Sequence, residues 1–342
     1  MKNVKGRVLI IVGVALIIAL VIFIGYNQRI TTGKTIAQKG NQIALMISPK
    51  GKLGSNLFIL DIVSGEAVQL TQGEKTRNAS WSPDGEQLAI VYGKNLYTLD
   101  VSTGDTKRLV NNGVDIYQVV WSPDGQRLAY ESNEITIVDR DGNPSLGYKL
   151  AQGYGGHGFD WSPDGKKIIY VALDNPKDTL SQTSVHVIDV GGNSPPLLLF
   201  SFDGLEKAPK WSPDGSHIMF KVETTHDQWG GVLEEALYIA NADGNDVKEI
   251  AVSIARNIPA FWSPDGSQIL FEDVDAQVCR YHVEAGEVEC NFSGFYPVWD
   301  SRGEQIAYLN PDGRICVSAG QTTGRCYDVP EKGAISILGW RP

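Results

Sequence analysis

The chain has 342 residues, 42% of them hydrophobic and 20% charged, with eight tryptophans; that is ample material for a buried core and excludes wholesale disorder. Its 37 glycines follow no three-residue period, which excludes a collagen-like chain and points to many tight turns between short strands. The net charge is −10, and because the first 29 residues hold Lys2, Lys5, Arg7 and Arg29 but no acid, the remainder stands at −14, a balance that excludes nucleic acid as a partner.

From Val8 to Tyr26 every residue is apolar, glycine or the closing tyrosine. At 1.5 Å per residue such a run just spans a hydrocarbon layer about 30 Å thick. A cleaved secretory signal has a shorter apolar stretch and a small-residue cleavage site, whereas here Tyr26-Asn27-Gln28-Arg29 follows, and the one candidate, after Thr31-Thr32-Gly33, is weak. No cysteine follows the run at a lipoprotein's distance. The expectation is therefore an uncleaved signal anchor: residues 1–7 a short cytoplasmic tail, 8–26 a single transmembrane helix, 27–40 a linker and 41–342 the folded domain. The basic tail favours an inside amino terminus, which places that domain on the extracytoplasmic side of the cytoplasmic membrane.

Beyond the linker the sequence repeats. Trp-Ser-Pro-Asp-Gly occurs five times, with tryptophans at Trp81, Trp121, Trp161, Trp211 and Trp262, spaced by 40, 40, 50 and 51 residues. A degraded copy begins at Trp299, and Trp340-Arg341-Pro342 is a seventh. An apolar strand such as Leu88-Ala89-Ile90-Val91 follows each internal copy, then a strand ending in Asp and a glycine turn, such as Leu96 to Asp100, then a shorter one such as Lys107 to Val110. Four strands per repeat of about 40 residues is the arithmetic of a propeller blade. Proline presets the turn, the aspartates Asp84, Asp124, Asp164, Asp214 and Asp265 bond the backbone ahead, and Gly85, Gly125, Gly165, Gly215 and Gly266 accept positive φ. Each tryptophan is a body suited to filling the wedge between blades. A ring of catalytic or metal-binding aspartates is rejected on the expectation that successive turns lie far apart.

The first repeat lacks an inner strand and the last has only that one. Ala334 to Trp340 is thus expected to pair beside Ile43 to Met46, closing an all-β ring of seven blades and removing two open sheet edges. Six or eight blades follow if Trp299 or the amino-terminal strands are assigned otherwise. With its fivefold Trp-Ser-Pro-Asp-Gly motif and the strands after it, the chain from about Asn41 to Pro342 resembles the TolB-type, WD-repeat-like propeller family. That resemblance implies the fold and a tendency to bind proteins. It does not extend to the additional domain that precedes the TolB propeller, nor to the hydrolase domain of prolyl-oligopeptidase-type peptidases, so no named activity comes with it.

All four cysteines fall in the last two full repeats, where Cys279 and Cys290, and Cys316 and Cys326, flank outer-strand turns. Hairpin geometry favours the pairings Cys279–Cys290 and Cys316–Cys326, and such bridges persist in an oxidising compartment. Gly-x-Ser-x-Gly, His-Glu-x-x-His and phosphate-loop motifs are absent, no residue is assigned a catalytic role, and neither a metal nor a cofactor is expected. Asp139 to Asn143 and Asn241 to Asn245 look like fragments of calcium loops without the terminal bidentate acid and are read as turns. Asn78-Ala79-Ser80 and Asn291-Phe292-Ser293 fit glycosylation sequons by chance.

The irregularities point to function. Repeats four and five are longer by ten or eleven residues, chiefly at Leu173 to Thr183 and Glu223 to Glu235, on the face opposite the Trp-Ser-Pro-Asp-Gly turns. Tyr154, His157, Asp174, Lys177, His226, Asp227 and Trp229 are the candidate binding residues at the channel mouth there. The expected function is a non-catalytic scaffold that binds a protein or cell-envelope component, with the membrane as a second partner through the amino-terminal helix; the alternative is a propeller hydrolase or lyase with a site at that mouth.

Overall fold

The structure, a computed structural model, describes residues 40–342 except 53, 74, 112, 114, 149–157, 174–182, 192–193, 203–205, 227–231, 256–258 and 320–323. The expected anchor and most of the linker therefore lie outside the described residues. Twenty-eight strands form seven antiparallel four-stranded sheets, and the described residues contain no helix. Each sheet is a blade whose first strand lies innermost.

Blade 1 is assembled from both ends of the chain. Its inner strand, Gly333–Trp340, pairs antiparallel with Gln42–Pro49, which in turn pairs with Asn56–Asp61, and Ala67–Gln69 lies outermost. Ile43 stands opposite Trp340 and Ile47 opposite Ile335, so the expected closure is present. Blades 2 to 7 follow in chain order, their inner strands being Thr76–Trp81, Gln118–Trp121, Phe159–Trp161, Glu206–Trp211, Phe261–Trp262 and Phe295–Trp299.

The sequence pattern explains this layering. Middle strands such as Gln87–Tyr92 (Gln-Leu-Ala-Ile-Val-Tyr) are almost continuously apolar because both of their faces are covered, whereas the outer strand Thr106–Asn111 (Thr-Lys-Arg-Leu-Val-Asn) is mostly exposed. Successive residues of a middle strand serve opposite interfaces, Leu88 and Ile90 packing toward blade 1, Ala89 and Val91 toward blade 3. Seven hydrophobic clusters result, one at each junction between neighbouring blades, including the junction of blades 7 and 1.

The repeated tryptophan packs into the junction with the preceding blade in every case. Trp161 and Trp262 donate their indole N–H to the carbonyls of Val120 and Lys210, the residues just before the previous blade's tryptophan. Trp81 donates in the same way to Gly339, at 3.4 Å. The junction that the chain's last strand makes with blade 2 thus carries the same bond as the junctions of Trp161 and Trp262. Arg341, 4% exposed, reinforces it: Nε donates to the Gly85 carbonyl at 2.6 Å, Nη1 to Gln42 Oε1 at 2.7 Å, and the guanidinium lies over the Trp81 ring.

Innermost strands have an unpaired edge, and side chains of the preceding blade's inner strand cover part of it. Asn78 Oδ1 accepts from the Val119 amide at 3.3 Å. Gln118 binds Phe159 in both directions, donating to its carbonyl at 3.0 Å and accepting its amide at 3.3 Å. Asp160, held up by burial despite Lys210 Nζ at 3.3 Å, accepts the Trp211 amide at 3.2 Å. Pro209 and Pro297, which carry no N–H, stand in the inner strands of blades 5 and 7.

Both expected disulfides are present, each joining the third and fourth strands of one blade: Cys279–Cys290 in blade 6 and Cys316–Cys326 in blade 7, with Cα atoms 4.0 Å apart. One expectation is corrected. The Trp-Ser-Pro-Asp-Gly turns do not lie far apart: the glycine of each turn sits on the proline of the turn before it, so that a Cβ at Gly125 would lie 3.6 Å from Pro83 and one at Gly266 3.6 Å from Pro213. Inner-edge turns lie close to the axis, where the circumference is short.

Candidate functional site

The propeller has two unlike faces. On the face of the repeated turns, serine is the residue that completes the motif. Its hydroxyl donates to the aspartate two positions on (Ser82 to Asp84, Ser122 to Asp124, Ser162 to Asp164, Ser212 to Asp214, Ser263 to Asp265) at 2.5–2.6 Å. The same oxygen accepts the amide of the first residue in the next strand, 2.9 Å away at Gln87, Arg127, Lys167, His217 and Gln268. Each aspartate also takes the amide two residues ahead, as Asp124 does from Gln126 at 2.9 Å. The serine hydrogen bond holds Asp124, Asp164 and Asp265 below the usual carboxylate range and Asp214 down to about 2. These carboxylates organise turns, and the glycine after them adopts φ of +65° to +73°.

Asp139 and Asp243 likewise close turns. Asp139 accepts the amides of Asp141 and Asn143 at 2.9 Å, and Asp243 the amide of Asn245 at 3.0 Å. Two open clefts lie on this face, one of about 400 Å³ bordered by Arg127, Asp164, Lys166 and Asp189, the other of about 440 Å³ bordered by Ser267, His282 and Glu284. In the first, Asp164 is already bonded to its turn serine. In the second, Ser267 Oγ donates to the Asp265 carboxylate of its own turn at 2.8 Å.

The opposite face carries the irregularity. In blade 5 the second and third strands, His217–His226 and Val232–Asn241, run ten residues each, the longest among the described residues. Much of the expected 223–235 loop is therefore paired strand, with Glu223 opposite Glu235. His226 ends the first of these strands. Tyr154, His157, Asp174, Lys177, Asp227 and Trp229 lie outside the described residues, as do 174–182, most of the other insertion.

A group of buried charges adjoins this face at blades 5 to 7. Lys221 forms an ion pair with Glu235 and donates to the Ala255 carbonyl at 3.2 Å, in the connection that leads into blade 6. One blade on, Glu272 occupies the position of Lys221 in its repeat and accepts the Tyr296 amide of blade 7 at 2.9 Å; burial pushes its carboxyl up. Tyr296 itself holds φ at +52°, a conformation that costs a bulky residue energy, and its amide is held by the Glu272 carboxylate. None of these residues was singled out from sequence. The available signal was an ionisable residue inside an apolar strand, Lys221 in Ile218-Met219-Phe220-Lys221-Val222 and Glu272 after Ile269-Leu270-Phe271, where two other repeats place Val91 and Val171 and blade 3 places the buried Glu131.

The Asp273 carboxylate lies 3.9 Å from Cys279 Sγ, with Cys290 beside it. Both sulfurs are bound in the disulfide, so they have no thiolate to offer a metal.

A closed ring of seven blades, with serine-aspartate turns stacked at one mouth and the irregular segments gathered at the other, defines a β-propeller of the Trp-Ser-Pro-Asp-Gly kind. The chain belongs to the TolB beta propeller domain family, which it matches over residues 25–187 and 135–327. No curated protein matches it in sequence. Among solved structures it is similar to the tricorn protease (15% identity, TM-score 0.61, 89% of this chain and 36% of that one), so it spans about a third of that protease's length. It is also similar to an oligogalacturonate lyase in complex with manganese (17% identity, TM-score 0.62, 87% of this chain and 89% of that one) and to a putative TolB from Agrobacterium tumefaciens (19% identity, TM-score 0.51, 84% and 99%). At these identities the likeness is one of fold.

Proposed function

We propose that the protein is a membrane-anchored, extracytoplasmic propeller that binds a protein or cell-envelope component through the face opposite its repeated turns and performs no chemistry. The observation that carries this reading is the division of labour between the faces. The repeated carboxylates are committed to turns, while length variation, the ten-residue hairpin of blade 5 and the buried charges Lys221, Glu235 and Glu272 gather on the other side. Insertions on one face of a repeat protein often form its binding surface. The two disulfides support an oxidising compartment, and the apolar run Val8 to Tyr26 with its basic tail supports an anchor with an inside amino terminus.

The competing reading is a hydrolase or lyase at the same mouth, since propellers host enzymes and fold alone does not decide between them. The test is turnover by the purified full chain on acidic oligosaccharides and on peptides, alongside His157→Ala and His226→Ala. Absence of turnover in all three fits a binding platform. Turnover by the native chain that either substitution abolishes refutes it.

A further inference from the structure

The chain joins the ring at the site of a turn. Gly40 has a positive φ of +82°, as the repeated turn glycines do at +65° to +73°. The next residue, Asn41, accepts the Ile62 amide at 2.9 Å, just as Glu86 accepts that of Val101 at 3.0 Å, Ser216 that of Ala242 at 2.9 Å and Ser267 that of Val283 at 3.0 Å. At the other end of the chain the Arg341 amide donates to the Gln42 carbonyl at 2.7 Å, as the Ser82 amide does to Gln87 at 2.9 Å. Pro342 then stands against Gly85 as Pro83 stands against Gly125. Gly40-Asn41 and Arg341-Pro342 are thus the two halves of a seventh Trp-Ser-Pro-Asp-Gly-like turn, interrupted in the middle. Anything that precedes Gly40 leaves the domain from the inner rim of the turn face.

We infer that the turn face is held toward the anchoring bilayer and that the irregular face, with the blade 5 hairpin, points away from it, available to a protein or envelope component approaching from the aqueous side and not to the lipids of that membrane. The inference deepens the reading above and rests on its anchor. About 14 residues separate Tyr26 from Gly40. A random-coil chain of that length has a root-mean-square span of roughly 20 Å. The strand His217–His226 that crosses the blade from the turn face to the irregular one is about 33 Å long at the usual rise per residue. Turning the irregular face to the bilayer would make the preceding segment run back past a body of that thickness at blade 5, more than its root-mean-square span, so the rim where the chain enters is the side nearer the bilayer.

The test compares two exposed positions of blade 3, Gln126 in its turn and Asn133 at the tip of the hairpin on the opposite face. A fluorescent amino acid is placed at one or the other in the full chain, reconstituted in liposomes whose lipid headgroups carry an energy acceptor. Transfer several-fold stronger from position 126 than from 133 is expected. Equal transfer, or the reverse, in protein that resists alkaline extraction overturns the orientation and leaves the anchor standing. Release of the protein by alkaline extraction refutes the anchor itself, and the orientation with it.

Discussion

Replacing Arg341 with methionine keeps the aliphatic stem and removes the guanidinium that binds the two ends of the ring together. Two hydrogen bonds vanish, Nε to the Gly85 carbonyl at 2.6 Å and Nη1 to Gln42 Oε1 at 2.7 Å, together with the stacking on Trp81 and the 3.9 Å approach to Glu86. A buried hydrogen bond from a charged donor is worth roughly 1.5–3 kcal/mol, which puts the loss at roughly 4 kcal/mol. With an unfolding entropy of about 2.1 cal/mol/K per residue, a propeller of roughly 300 residues would then melt about 6 °C lower. The assay is thermal unfolding followed by circular dichroism. Arg302→Met is the control: it deletes the same charge from a side chain 66% exposed, paired with Glu304 at 3.2 Å, where the expected cost is below about 1 kcal/mol. If Arg341→Met melts with Arg302→Met, within about 1 °C of the native chain, the closure does not rest on this side chain and the reasoning fails.

Three further outcomes are expected. Cys279→Ser/Cys290→Ser and Cys316→Ser/Cys326→Ser release loops of 11 and 10 residues and should each lower stability to urea by roughly 2–3 kcal/mol, and mass measured before and after reduction should rise by two hydrogens per bridge. Asp214 titrates near 2, below its unfolded value of 3.8, so the stabilisation from its ionised form is present above about pH 4 and lost as pH falls toward 2. A carboxyl NMR titration placing Asp214 at or above 3.8 contradicts the serine-aspartate account. Gly142→Ala places a Cβ against the Leu109 backbone of blade 2 at φ of +88°, and should destabilise by more than about 1–2 kcal/mol, the cost of positive φ alone; Gly93→Ala, also at positive φ but facing open space, measures that cost.

The scaffold was legible in the sequence because its signals are repeated. Seven tryptophans count the blades, the missing inner strand of the first repeat matches the lone last strand, and cysteines 10 or 11 residues apart across a turn favour hairpin pairing. What stayed hidden depends on relations between blades. Nothing local marks Asn78, Gln118 or Asp160 as covers for the next blade's inner edge, since each acts on a backbone about 40 or 50 residues away. Of the seventh turn the sequence shows only the Trp340-Arg341-Pro342 half, because the other half, Gly40-Asn41, lies at the opposite end of the described chain. The stacking of turns was misjudged because spacing along the sequence carries no information about radius. The candidate mouth was legible only as irregularity: length variation marks where a surface departs from the repeat, and six of the seven residues named there lie outside the described structure.

The central claim is that the face opposite the turns is a binding platform. It is tested most directly by crosslinking the full chain in whole cells and identifying attached proteins by mass spectrometry, in parallel with a chain in which residues 174–182 and 227–231 are replaced by short turns. The account predicts specific partners with the native chain that disappear when those segments are trimmed, while melting temperature and both disulfides are retained. Partners that persist undiminished on the trimmed chain, or none with either, contradict it.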